Sequence, residues 1–166
     1  MGVPMPASLR RMYSVAGMVD IVWYLDDEVA ESGPFKNIIG GGCAWQAADL
    51  PSLCNDYSGW LKAVFPDASN SYDAVWHDKY PFLDVVNGDM VAIGRDERVT
   101  YLSHDGGVGH GYILGNDVFD FFDRWTTLGC PGPQDWQWLP FTSGPDSGLE
   151  PDGANGRAWR NWFGLP

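Results

Sequence analysis

The sequence predicts an α+β fold, an antiparallel meander sheet of about four to six strands packed against helices on one side. Three observations predict it. Four short apolar runs fill the centre of the chain: Phe82 to Val86, Met90 to Ile93, Val99 to Ser103 and Gly111 to Leu114. Asn87-Gly88 separates the first two, and Asn-Gly between apolar runs is a strong hairpin signal because both residues tolerate positive φ. Apolar residues at helical spacing flank this centre on both sides.

Leu9, Met12, Tyr13 and Ala16 recur at i, i+3, i+4 and i+7, a helical face, with Gly17 as a left-handed cap. Ile21 to Leu25 is aromatic and β-branched and reads as a strand. Asp26 to Gly42 mixes acids with Gly33, Pro34 and Gly40-Gly41-Gly42 and reads as an exposed loop. A second helix fits Pro51 to Val64, capped by Asp49, with Leu50, Leu53, Cys54, Tyr57, Leu61 and Val64 on one face. Pro66 stops it, and Asp67 to Trp76 reads as a polar loop.

The meander follows, with Asp96-Glu97 in one turn and a wider Gly-rich loop from His104 to His110. Asn116 or Asp117 then caps a helix to about Leu128, whose Phe121, Trp125 and Leu128 share a face and whose end is marked by Gly129. Pro131-Gly132-Pro133 breaks the chain, and Trp136, Trp138, Leu139 and Phe141 return it to the core. Residues 142–156 are rich in Gly, Pro, Asp and Ser and read as a linker to a short docking helix carrying Trp159, Trp162 and Phe163. Residues 1–166 form one domain, a size that buries roughly 70% of the unfolded surface without a disulfide or metal staple.

The balance of 22 acidic against 10 basic residues gives a net charge of -12. Such a field repels phosphate, so direct binding to nucleic acid or to an anionic membrane is not expected, whereas a basic partner is attracted. Solubility alone also accounts for the charge. Cys43, Cys54 and Cys130 are odd in number and lack C-x-x-C spacing, which argues against a disulfide framework or zinc ribbon and fits a cytoplasmic protein. No apolar run approaches the roughly 18 residues of a membrane span, and residues 1–11 lack the apolar core of a secretion signal.

The run His104-Asp105-Gly106-Gly107-Val108-Gly109-His110 places two imidazoles and a carboxylate around one loop. A metal-dependent hydrolase using His104, Asp105 and His110 is one reading; a glycine-rich turn whose histidines make local hydrogen bonds is the other. Catalytic zinc usually takes three protein ligands, only His77 remains as a further histidine, and no H-E-x-x-H spacing occurs. Gly40-Gly41-Gly42 lacks the Lys-Ser or Lys-Thr pair of a phosphate loop, and no nucleophile elbow is present. No cofactor, metal or catalytic residue is therefore expected. Paired carboxylates serve a glycosidase only when they face each other across a cleft. Asp26-Asp27-Glu28 directly follows a strand and has no nearby lysine, which makes it a candidate partner surface. The Trp136-Gln137-Trp138 and Trp159-x-x-Trp162-Phe163 clusters fit either sugar stacking or core packing.

The block Pro81-Phe82-Leu83-Asp84-Val85-Val86-Asn87-Gly88-Asp89-Met90-Val91-Ala92-Ile93 resembles the "P-F-L-x-V-x-N-G-D-x-[LIV]-A" signature of the SUKH superfamily. That superfamily unites a yeast cell-wall synthesis regulator with many bacterial immunity proteins. The similarity continues through Val99-Thr100-Tyr101-Leu102-Ser103-His104-Asp105, His110-Gly111-Tyr112, Phe119-x-x-Phe122-x-x-Trp125 and Leu128-Gly129-Cys130-Pro131-Gly132. Ser8-Leu9-x-x-Met12-Tyr13 and Gly42-Cys43-x-Trp45 fit more loosely, so the resemblance spans roughly residues 8 to 141. It begins at the family's first helix, so a short upstream segment is expected to be missing.

The resemblance implies an α+β fold and a binding role without a catalytic constellation. In its bacterial form it implies a cytoplasmic immunity protein that binds and neutralises a cognate toxin domain, a nuclease or other nucleic-acid-modifying effector with a basic active-site groove. An acidic inhibitor docks in such a groove and gains on-rate by steering. Asp26, Asp27, Glu28, Asp96, Glu97 and Asp105 are the expected partner contacts. A regulatory scaffold binding an endogenous protein is the alternative; the oligomeric state is left open.

Overall fold

The computed structural model describes residues 3–166. Its chain folds in the order α1 (Ala7–Tyr13), β1 (Met18–Tyr24), α2 (Asp27–Ser32), β2 (Gly40–Gln46), α3 (Leu50–Ala63), α4 (Asp73–Trp76), β3 (Lys79–Asp84), β4 (Met90–Gly94), β5 (Val99–Leu102), β6 (Ile113–Gly115), α5 (Val118–Thr127), α6 (Asp135–Trp138) and α7 (Ala154–Phe163). β3-β4-β5-β6 is the expected antiparallel meander, and β1-β2 is a separate antiparallel hairpin.

The β3–β4 turn forms where Asn-Gly demands it. Gly88 takes φ 96°, and its N–H donates to the Val85 carbonyl at 2.8 Å. β4 is buried along its whole length, so its alternation divides two cores rather than core from solvent. Val91 and Ile93 join Val99, Tyr101, Phe121 and Trp125 on one side. Met90 and Ala92 join Leu53, Tyr57, Phe65 and Trp76 on the other. Helices thus cover both faces of the sheet, not one as expected: α3 and α4 close the face that a one-sided meander would leave wet.

Asp117 caps α5, its side chain accepting from the N–H groups of Phe119 and Asp120. Beyond the helix, Gly129 and Cys130 both take positive φ, which swings the chain so that Trp125 Nε1 donates to the Pro131 carbonyl at 2.7 Å. Elsewhere the local signals mislead. α1 ends at Tyr13 with Ser14 as its cap, and Gly17 has no positive φ. Asp49 makes no side-chain capping bond to α3 and accepts instead from Gln46 Nε2. The acid-rich stretch after β1 is not all loop, since it holds α2 and the start of β2.

Residues 142–156, expected as a linker, are tied to the sheet edge. Ile113 N–H donates to the Pro145 carbonyl, Leu149 N–H to Leu114, and Glu150 N–H to Phe141, with Leu149 fully buried. They deliver α7, whose Trp159 is wholly buried and donates its indole N–H to the Leu128 carbonyl at 2.8 Å. Burial of an aromatic of that size contributes about 3 kcal/mol. Among the described residues no helix is long and apolar enough to cross a membrane.

Candidate partner-binding groove

The histidine loop resolves into a hydrogen-bond network. Asp89, directly after the Asn-Gly turn, is only 2% exposed, yet it is fully partnered. Its carboxylate accepts from Asn87 Nδ2, Tyr101 Oη, the His104 backbone N–H and His104 Nδ1, the last at 2.7 Å. Burial pushes this carboxyl up, but the four donors together outweigh burial and hold it below its ordinary value. Tyr101 Oη in turn accepts from Asp135 N–H, so the carboxylate links the β3–β4 turn, β5 and the start of α6.

His110 is equally committed. The Ser103 N–H can only donate, so Nδ1 accepts it at 3.1 Å; Nε2 therefore carries the proton and donates to the Tyr72 carbonyl at 3.1 Å. The ring stacks on Tyr72 with centroids 3.8 Å apart, and burial lowers its pKa and keeps it neutral. Both nitrogens are used, so His104, Asp105 and His110 do not converge as a catalytic or metal-binding triad. Asp89, His104 and Asp105 do place one ligand atom each within 4.8 Å of one another. A cation there would have to displace the donors already on Asp89, so the donor set fits hydrogen bonds better than a metal.

The expected partner contacts are divided among several places. Asp26, Asp27 and Glu28 are exposed around the first turn of α2, where acids complement the helix dipole. Asp96 pairs with Arg98 at 2.6 Å. Glu97, at φ 67°, accepts from Ala7 N–H, Ser8 N–H and Ser8 Oγ, and so secures the start of α1. Asp105 is exposed and accepts from Ser103 Oγ. Successive turns of a meander lie at opposite ends of the sheet, so Asp96 and Glu97 sit at one end and Asp105 at the other. The six do not make one surface.

An open groove lies elsewhere. A groove of about 770 Å³ runs between the β1–β2 hairpin, the start of α3, the end of β3 and residues 132–137. Its origin is in the pairing register. Val22 faces Gly42 and Tyr24 faces Gly40, so β1 raises side chains where the glycine half of β2 offers none. The glycines are required. Gly42 has φ 118°, and a Cβ there would meet the Ile21 carbonyl oxygen at 1.8 Å; at Gly41 it would meet the Cys130 carbonyl oxygen at 2.3 Å. Trp23, pointing the other way, donates its indole N–H to the Gly129 carbonyl at 2.8 Å and anchors the hairpin to the turn after α5.

The lining is apolar and acidic together. Val22, Tyr24, Ile39, Val86 and Trp136 line the groove while remaining 41–95% exposed, five of the eleven exposed large apolar residues among the described residues. Contiguous exposed apolar surface of this kind marks binding sites. Asp49, Asp56 and Asp84 line it too, and none of the 10 lysines and arginines does. Partial burial and the neighbouring Asp56 push the Asp84 carboxyl above its ordinary value. Neither Asp56 nor Asp84 has a salt-bridge partner among the described residues.

Of these residues, the sequence predicts Trp136 in the core and the Gly40-Gly41-Gly42 run in a loop. Asp84 reads only as part of a strand. The missed signal was the triglycine opposite an aromatic strand. Trp138, by contrast, is buried as expected, against Tyr101 and Tyr112. Comparison with family models, curated proteins and solved structures finds no match to this chain.

Proposed function

We propose that this protein is a binding module that holds a basic protein partner, in its most specific form an immunity protein that neutralises a cognate bacterial toxin domain acting on nucleic acid. The observation that carries the reading is the groove, which combines five exposed large apolar side chains with three carboxylates and contains no cation. Desolvated apolar anchors supply affinity, while acids supply orientation and on-rate. The net charge of -12 extends the same sign over the molecule. The resemblance of the Pro81–Ile93 block to immunity proteins supplies the toxin as partner class, and a nuclease's phosphate-binding groove supplies the matching charge.

The test is co-expression with the product of the adjacent gene. Growth should be rescued from that product's toxicity, and a complex should form at low salt and weaken as salt rises. A toxic neighbour that is neither bound nor neutralised overturns the immunity reading. A harmless neighbour together with a stable endogenous partner points instead to a regulatory scaffold.

A further inference from the structure

We propose that the groove takes a protruding loop of the basic partner, with a leucine or aromatic side chain seated against Val22, Tyr24 and Trp136 and an adjacent arginine or lysine placed between Asp56 and Asp84. The inference rests on the binding reading above and specifies how that binding is done. Three features of the site select this occupant.

The first is shape. The site is concave, and its volume of about 770 Å³ lies within the 300–1,000 Å³ of pockets that enclose small ligands or a few side chains. A flat surface cannot fill it, but a loop can. The second is lining. Tyr24 is 81% exposed and Trp136 41% exposed; Trp and Tyr are the residue types enriched among interface hot spots once a partner covers them. The third is charge. Asp56 and Asp84 line the groove together, Asp56 helps to hold the Asp84 carboxyl above its ordinary value, and no lysine or arginine lines the groove with them. A cation from the partner converts that repulsion into attraction. A second copy of this chain is a poor occupant, since it brings 22 acids against 10 bases.

The probe is an acetylated, amidated octapeptide of alternating arginine and leucine, titrated into the ¹⁵N-labelled protein at low salt. Three controls accompany it: the same peptide with glutamate for arginine, the same with serine for leucine, and spermidine. The arginine–leucine peptide should shift the Trp136 indole and the Gly40, Gly41 and Gly42 amides saturably. Asp56→Asn with Asp84→Asn should weaken it by about tenfold, and Trp136→Ala by a similar factor. Asp56, Asp84 and Trp136 are all exposed, so the variants should keep the wild-type melting temperature, which is measured alongside. Neutralising Asp26, Asp27 and Glu28 should change the affinity by less than about twofold.

The proposal is overturned if the shifts centre on Asp26 to Glu28 or fail to saturate. Equal binding of the arginine–serine peptide or of spermidine also overturns it, since the apolar wall would then go unread. So does a groove spectrum that changes on dilution of the protein alone, which would make the groove a self-association face. A toxin complex that is unaffected by the Asp56/Asp84 pair of substitutions defeats this inference and leaves the immunity reading standing. Failure of the wild-type protein to bind any partner defeats the reading itself.

Discussion

Asp89 shows how a residue can matter for the fold while mimicking a catalytic group. A buried aspartate bonded to a histidine Nδ1 is half of a familiar acid–base pair, yet here every acceptor site of the carboxylate is spent on holding turns together. Asp89→Asn replaces an acceptor with an amide that cannot receive all four donors, and it should cost about 2–4 kcal/mol at neutral pH. The pH dependence follows from the sign of the shift. The folded carboxyl is held below its ordinary value of 3.8, so its contribution is present above the unfolded value and is lost as pH falls through the lower folded one. Urea unfolding of both proteins should therefore show a constant gap from about pH 7 to pH 5 that narrows below about pH 4. A gap independent of pH would mean that the ionised carboxylate is not the stabilising species. Asn87-Gly88 is legible as a turn because that signal is local. Asp89 is not legible as a hub, because Tyr101 and His104 converge on it only after β4 and β5 have paired.

At the scale of elements, what was legible was whatever local chemistry decides. The four meander strands and α5 were readable from the Asn-Gly turn, the apolar runs and the Asp117 cap. β2 was not, because Gly40, Gly41 and Gly42 have no strand preference of their own. They form a strand only because Val22, Trp23 and Tyr24 pair with them and because nothing larger fits. The groove was illegible for the same reason at larger range, being assembled from β1, β2, α3, β3 and residues 132–137. The hairpin can be tested with a pair of glycine substitutions. Gly42→Ala puts a methyl group into the Ile21 carbonyl at positive φ and should destabilise by about 3 kcal/mol or more. Gly59→Ala lies in α3 with nothing within 4 Å of the new Cβ and should stabilise by about 1 kcal/mol through helix propensity. Thermal unfolding of the two variants should move in opposite directions; a neutral Gly42→Ala would show that the hairpin pairs differently.

The whole molecule carries its charge in two roles that kinetics can separate. Acids at the start of α2, which do not line the groove, act on a basic partner through the long-range field, which speeds encounter and is screened by salt. Acids inside the groove act at contact, where water is excluded and each pairing resists dissociation. Neutralising Asp26, Asp27 and Glu28 together should therefore lower the association rate of a toxin complex by roughly two- to fivefold at low salt and leave its dissociation rate unchanged. Neutralising Asp56 and Asp84 should do the reverse, raising the dissociation rate by about tenfold with little effect on association. Stopped-flow association and surface-plasmon dissociation at two ionic strengths distinguish the cases, because only the first effect should vanish as salt rises. If both sets of substitutions slowed association alone, the groove would be one more patch of a uniform negative surface. A dissociation effect confined to the groove pair would mark it as the place where the partner is held.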